Sequence, residues 1–114
     1  MNSIIDFLKK LPNCPKYDQD SDYMNSENYY PILNNLMVDM KPKSVLEIGV
    51  RYGYSGISFI HGNGIKKYVG IDYERYDSDS INKAKINFDY LKTIDDFEYE
   101  LIFKNAVWSN RPNL

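Results

Sequence analysis

The residues Val45-Leu46-Glu47-Ile48-Gly49-Val50-Arg51-Tyr52-Gly53-Tyr54-Ser55 place a carboxylate, a glycine-punctuated turn and a hydroxyl within one short stretch. An apolar run of strand type ends at the acid, the turn follows, and a helix is expected to begin beside Ser55. Such a strand–turn–helix unit presents backbone N–H groups to a small ligand. The charge at the strand end restricts the ligand. A dinucleotide pyrophosphate would meet Glu47 as a like charge, and Arg51 stands where the G-x-G-x-x-G fingerprint needs its second glycine. A ligand with cationic groups and no phosphate suits this carboxylate better.

S-adenosylmethionine (SAM), with a sulfonium and an ammonium, is such a ligand. The run Glu47-Ile48-Gly49-Val50-Arg51-Tyr52-Gly53 resembles the first motif of class I SAM-dependent methyltransferases, an apolar pair followed by [DE]-x-G-x-x-x-G. Its extension Gly53-Tyr54-Ser55 looks like the small-molecule O-methyltransferase branch, which includes the catechol type. The resemblance covers about residues 44–106. It implies that Glu47 lies near the methionine ammonium, often through water; a solvated strand-end carboxylate is the plainer alternative. It implies that Tyr54 and Ser55 hold the methionine end, where Ser55 can also act as a simple N-cap. Gly49 and Gly53 allow a tight turn and close approach of backbone to ligand, and Gly56 eases helix–strand packing.

Downstream residues fit the same reading. Asp72 closes the apolar run Val69-Gly70-Ile71, 23 residues after Gly49. A ribose-binding acid is expected about 20 residues on in such folds. Its carboxylate can accept hydrogen bonds from both ribose hydroxyls. Tyr73 can lay its ring on the adenine or simply be a half-exposed loop tyrosine. Lys104-Asn105-Ala106 falls where many family members have Gly-Asp-Ala, so the resemblance assigns Asn105 to the adenine amino group; an ordinary turn asparagine is the alternative. The rival ligand class is NAD or FAD in a nucleotide-binding module.

Other side chains offer less. His61, the only histidine, sits beside Gly62-Asn63-Gly64 at an expected helix end, where a cation is favoured. No Cys/His or Ser/His/Asp set suits nucleophilic catalysis, and no catalytic residue is assigned. Asp18, Asp20 and Asp22 alternate, but an EF-hand counted from Asp18 would need a glycine at Tyr23 and a glutamate at Tyr29. One cysteine excludes an intrachain disulfide and a cysteine-based zinc site, and no metal site is expected. The net charge of -2 gives no basic patch for nucleic acid. No run approaches the roughly 18 apolar residues of a membrane span. The N-terminus lacks the layout of a signal peptide, so the expected compartment is the cytoplasm.

The elements that must position these residues follow from periodicity. Ile4, Ile5, Leu8 and Leu11 predict a short helix stopped by Pro12. Residues 12–27 read as a polar loop. A second helix is expected over about 26–40, with Tyr29, Leu33, Leu36, Met37 and Met40 as its apolar stripe. Strands are expected at 44–48, 67–72 and 99–103, and helices at 54–60 and 78–91, the latter capped by Ser78 or Ser80. Trp108 would cap an adenine pocket or cover core. The expected fold is α/β: a Rossmann-like partial parallel sheet of about three strands, preceded by two N-terminal helices. Residues 1–43 form the N-terminal helices and linker, and 44–114 a SAM-binding half-domain. The 44–48 strand should be central, with helices on both faces of the sheet.

Class I methyltransferases usually have seven strands and place acceptor groups after the third. The chain therefore reads as the SAM-binding half of a methyltransferase for a small molecule or sugar, truncated and inactive alone. The alternative is a non-catalytic SAM- or nucleotide-binding module. Its open sheet edge would be completed by a partner, such as a second copy.

Overall fold

The computed structural model describes residues 3–73, 80–103 and 106–109. Within these the element order is α1 (Ser3–Lys9), α2 (Lys16–Gln19), α3 (Asp22–Asn25), α4 (Tyr30–Met40), β1 (Ser44–Ile48), α5 (Tyr54–Ile60), β2 (Lys67–Asp72), α6 (Ser80–Lys92), β3 (Glu98–Phe103) and β4 (Ala106–Ser109). The first three strands are parallel and β4 returns antiparallel to β3, in the order β1-β2-β3-β4. The three-strand parallel sheet is the α/β, Rossmann-like arrangement expected of the sequence.

Five features differ from the sequence expectation, the last being the cover of the sheet. Two single-turn helices, α2 and α3, occupy what reads as a loop; Ser21 caps α3 by accepting a hydrogen bond from the Met24 N–H at 3.0 Å. Strand β1 lies at an edge, because β2 takes the centre and β1 pairs only with β2 among the described residues. The edge of β3 is covered by β4, which no strand pattern had suggested. The stripe expected on the second helix is also misplaced. Met37 is buried, but Tyr29, Leu36 and Met40 are exposed, because α4 packs mainly on α5 and turns its outer side away from the core.

Among the described residues the sheet is covered on one face rather than the two expected. Tyr68 and Gly70 of β2 and Tyr99, Leu101 and Phe103 of β3 alternate into the core. The alternate positions leave Leu46 65% and Ile48 82% exposed. These two apolar side chains sit on the face that no described helix covers.

The buried face is packed by aromatic stacking. Phe88 of α6 lies between Tyr68 and Tyr99, with ring centroids 4.8 and 5.4 Å away. Ile81, Ala84, Phe88 and Leu91 make the inner side of α6, as their spacing predicts, and Ile57 and Ile60 do the same for α5. Leu8 of α1 joins this core. Gly56 permits the helix–sheet contact. A Cβ there would stand 2.7 Å from the Tyr68 ring and hydroxyl.

Gly56→Ala should therefore destabilise the protein by about 1–3 kcal/mol, as overpacking does. Gly56 has no positive φ, so the loss would report the Tyr68 contact and not backbone strain. Urea unfolding of the two proteins checks this; an unchanged midpoint would mean the ring moves aside freely.

Candidate functional site at the carboxyl ends of the strands

The turn from β1 to α5 is bent by positive φ angles at Gly49 (94°), Arg51 (49°) and Gly53 (93°). Gly49 continues the strand pairing by donating its N–H to the Ile71 carbonyl at 2.7 Å. Open space faces the position where a Cβ of Gly49 would be, which leaves the backbone accessible. Gly53 is needed for packing as well as conformation, because a Cβ there would meet the Phe88 ring at 2.7 Å. Gly53 also occupies the N-cap of α5. Ser55 is therefore inside the helix and does not cap it, which removes the simplest structural account of its hydroxyl.

Asp72 closes the turn. Its Oδ2 accepts the N–H groups of Val50 at 2.8 Å and Arg51 at 2.7 Å, and its Oδ1 accepts the Tyr73 N–H at 2.6 Å. An internal carboxylate thus fills the backbone cradle that would otherwise take an anion. Two lone-pair positions on Oδ2 and one on Oδ1 are used, so the carboxylate as placed can accept one further hydroxyl. Bidentate capture of a ribose, anticipated from the sequence, would require it to release one of the turn's amides.

Glu47 is the last residue but one of β1, and Asp72 is the last of the neighbouring β2. Burial pushes the Glu47 carboxyl above its ordinary value, the hydrogen bond from the Tyr68 hydroxyl (2.6 Å) opposes this, and the Asp72 charge adds to it. A cation beside Glu47 would reverse the shift.

A cavity of about 310 Å³ opens on this turn. It brings together Gly49, Tyr54, Ser55 and Asp72 from the sequence-derived set, with Val50, Arg51 and Tyr30 beside them. Glu47 and Gly53 are not among the residues that line it. Tyr73 is exposed beyond Asp72. Asn105 and the proposed Ser78 cap fall outside the described residues, as does the side chain of Trp108.

Three residues that sequence reasoning passed over hold the site together. Asp18 is buried and accepts Arg51 Nη1 at 3.1 Å, Arg51 Nη2 at 3.3 Å and the Tyr54 hydroxyl at 2.7 Å. Arg51, noted only as a missing glycine, thereby ties the turn to α2. Asn87 of α6 is fully buried; its side chain accepts the Asn13 N–H and donates to the carbonyls of Asn13 and Tyr52. No local pattern marks Asp18 apart from its exposed neighbours Asp20 and Asp22, because its partners lie 33 and 36 residues away. Tyr54 is also more constrained than expected: burial and the Asp18 hydrogen bond push its phenol far above the ordinary value, so it stays protonated.

One other expectation finds a simple structural place. His61 follows α5 as its C-cap, with Nδ1 2.8 Å from Asp95 and its ring stacked on Phe7. Among the described residues no cluster of three His, Cys, Asp or Glu side chains could hold a metal ion, and no helix is long and apolar enough to cross a membrane.

No protein-family model and no curated protein sequence matches this chain. Among solved structures it is similar to the SAH-bound methyltransferase PaMTH1 from Podospora anserina, with a TM-score of 0.56 and 20% identity. The similarity covers 90% of this chain and 40% of that one. The chain thus shares the α/β, Rossmann-like fold of that neighbour and spans less than half its length.

Glu47 gives a test of the site's electrostatics. Its raised pKa means the folded state holds the proton more tightly than the unfolded chain. Its contribution to stability is full below about pH 4.5, the ordinary value. It is lost as pH rises through the higher folded value. Glu47→Gln should remove that segment of the pH–stability profile while keeping an acceptor for Tyr68. Chemical unfolding across pH 4–8 checks it; an identical profile in the variant would show that Glu47 is not perturbed.

Proposed function

We propose that this chain is the SAM-binding part of a methyltransferase that transfers a methyl group to a small molecule or sugar. The observation that carries the reading is the Asp72 carboxylate bound to the Val50 and Arg51 amides. In a dinucleotide module these turn amides would face pyrophosphate. Here they are already satisfied by a negative group, with Glu47 close by. SAM brings two cationic centres and no phosphate to this pair. In the reading, Glu47 takes the ammonium, Ser55 and the first turn of α5 take the methionine carboxylate, and Asp72 takes one ribose hydroxyl. Tyr73 and Asn105 complete the adenine side. The SAH-bound neighbour supports a ligand of this class in this fold.

A second reading rests on the edge of β1, which no other described strand pairs, and the exposed Leu46 and Ile48 beside it. An unpaired strand edge flanked by apolar side chains is an association surface. In this reading the chain binds SAM without catalysing transfer, and a second copy completes the sheet.

Calorimetry with SAM, S-adenosylhomocysteine and NAD tests the ligand class. SAM and S-adenosylhomocysteine should bind more tightly than NAD. Glu47→Gln should lower SAM affinity roughly tenfold, the scale of a hydrogen bond to a charged group. Affinity should also rise with pH through the elevated Glu47 pKa, because the ammonium needs the ionised carboxylate. Tighter binding of NAD would overturn the proposal. Methyl transfer from labelled SAM, measured with the mass in solution, separates the two readings. A monomer turning over at about 1 per second, an ordinary enzymatic rate, would discard the second; an inactive dimer would favour it.

A further inference from the structure

A second cavity, of about 390 Å³, adjoins the one on the glycine turn and shares Tyr30, Arg51 and Tyr54 with it. Its other walls come from the α3–α4 region, where Tyr23 and Tyr29 face each other. Four tyrosines run across it in a chain of edge-to-face contacts. Tyr23–Tyr29, Tyr29–Tyr30 and Tyr30–Tyr54 have centroids 5.5, 4.8 and 6.3 Å apart, at 78°, 62° and 86°. Two other cavities of similar size among the described residues lie at the starts of the strands, beside Lys43 and beside Lys66 and Lys67, away from Glu47 and Asp72.

Its polar groups are balanced in charge. The Asp18 carboxylate and the Arg51 guanidinium form a two-point pair, so an anion entering the cavity meets Asp18 and a cation meets Arg51. Burial pushes the Tyr30 phenol up to about 12, and Tyr54 is held higher still, so neither tyrosine adds charge at neutral pH. Two of the five guanidinium N–H donors of Arg51 are used, and the side chain is 54% exposed. The site therefore offers flat apolar ring surface together with hydrogen-bond donors and an acceptor, but no net charge.

We propose that this second cavity receives the methyl acceptor, and that the acceptor is a neutral hydroxylated ring with one flat apolar face. The inference rests on the reading of the glycine-turn cavity as the SAM site, since only then does the shared wall bring donor and acceptor together. The ring face lies against Tyr23 and Tyr29, and its hydroxyls reach Arg51 and Asp18. The volume is at the small end of ligand pockets, which run from about 300 to 1,000 Å³, and suits one ring better than a polymer. A phenol and a sugar share this chemistry. The N-terminal segment, absent from the first motif, thus supplies the acceptor side.

The test uses saturation-transfer NMR on the protein loaded with S-adenosylhomocysteine, with 4-methylphenol and methyl β-glucopyranoside as neutral probes and benzoate and benzylammonium as charged ones. At least one neutral probe should bind better than either charged one, and which of the two binds identifies phenol or sugar. Tyr23→Ala and Tyr29→Ala, both at exposed positions, should each weaken that probe roughly two- to tenfold, the scale of an aromatic contact, and leave S-adenosylhomocysteine affinity unchanged. Binding of neither neutral probe, preference for a charged one, or no effect of the two variants overturns the inference while the cofactor reading stands. Failure of S-adenosylhomocysteine itself to bind overturns both.

Discussion

The turn between Ile48 and Tyr54 takes left-handed backbone at three of its residues, one of them an arginine. Such a path is unfavourable by itself for a residue with a Cβ. It persists because the Asp72 carboxylate accepts the amides of Val50 and Arg51 together, and because Asn87 holds the Tyr52 carbonyl from α6. Charge-assisted bonds of this kind stabilise by about 1.5–3 kcal/mol each. The geometry of the cavity on this turn, the start of α5 and the exposure of Gly49 all follow from where these groups hold the turn.

The same polar groups reach the N-terminal segment. Asp18 joins α2 to Arg51 and Tyr54, and Asn87 bonds to both Asn13 and Tyr52. Buried polar side chains are costly without partners, so these bonds set a narrow placement for residues 13–25 over the turn. Arg51 and Tyr54 are held by Asp18 from one side and line both cavities. A change in the N-terminal segment is therefore transmitted to the glycine turn through side chains and not through the sheet.

The sheet is asymmetric. One face is closed by α5 and α6 through the Tyr68–Phe88–Tyr99 stack, while Leu46 and Ile48 remain exposed on the other. A parallel sheet is normally covered on both faces. Among the described residues that face and the outer edge of β1 are uncovered.

Much of this was legible in local order. Apolar alternation and helical spacing gave β1 to β3, α1, α5 and α6, because each is set by contacts within a few residues and by one buried side. Glu47, Gly49, Gly53 and Asp72 stand out because a strand end and a positive φ constrain residue type wherever they occur. What the tertiary structure alone decided was pairing over distance: that β2 and not β1 is central, that the outer side of α4 faces away from the core, and that Asp72 turns inward to the amides. Asp18 is the clearest case. It has the same composition and spacing as Asp20 and Asp22, and only folding brings Arg51 and Tyr54 to it. Periodicity reports which side of an element is apolar; it carries no information about which distant group will satisfy a buried charge.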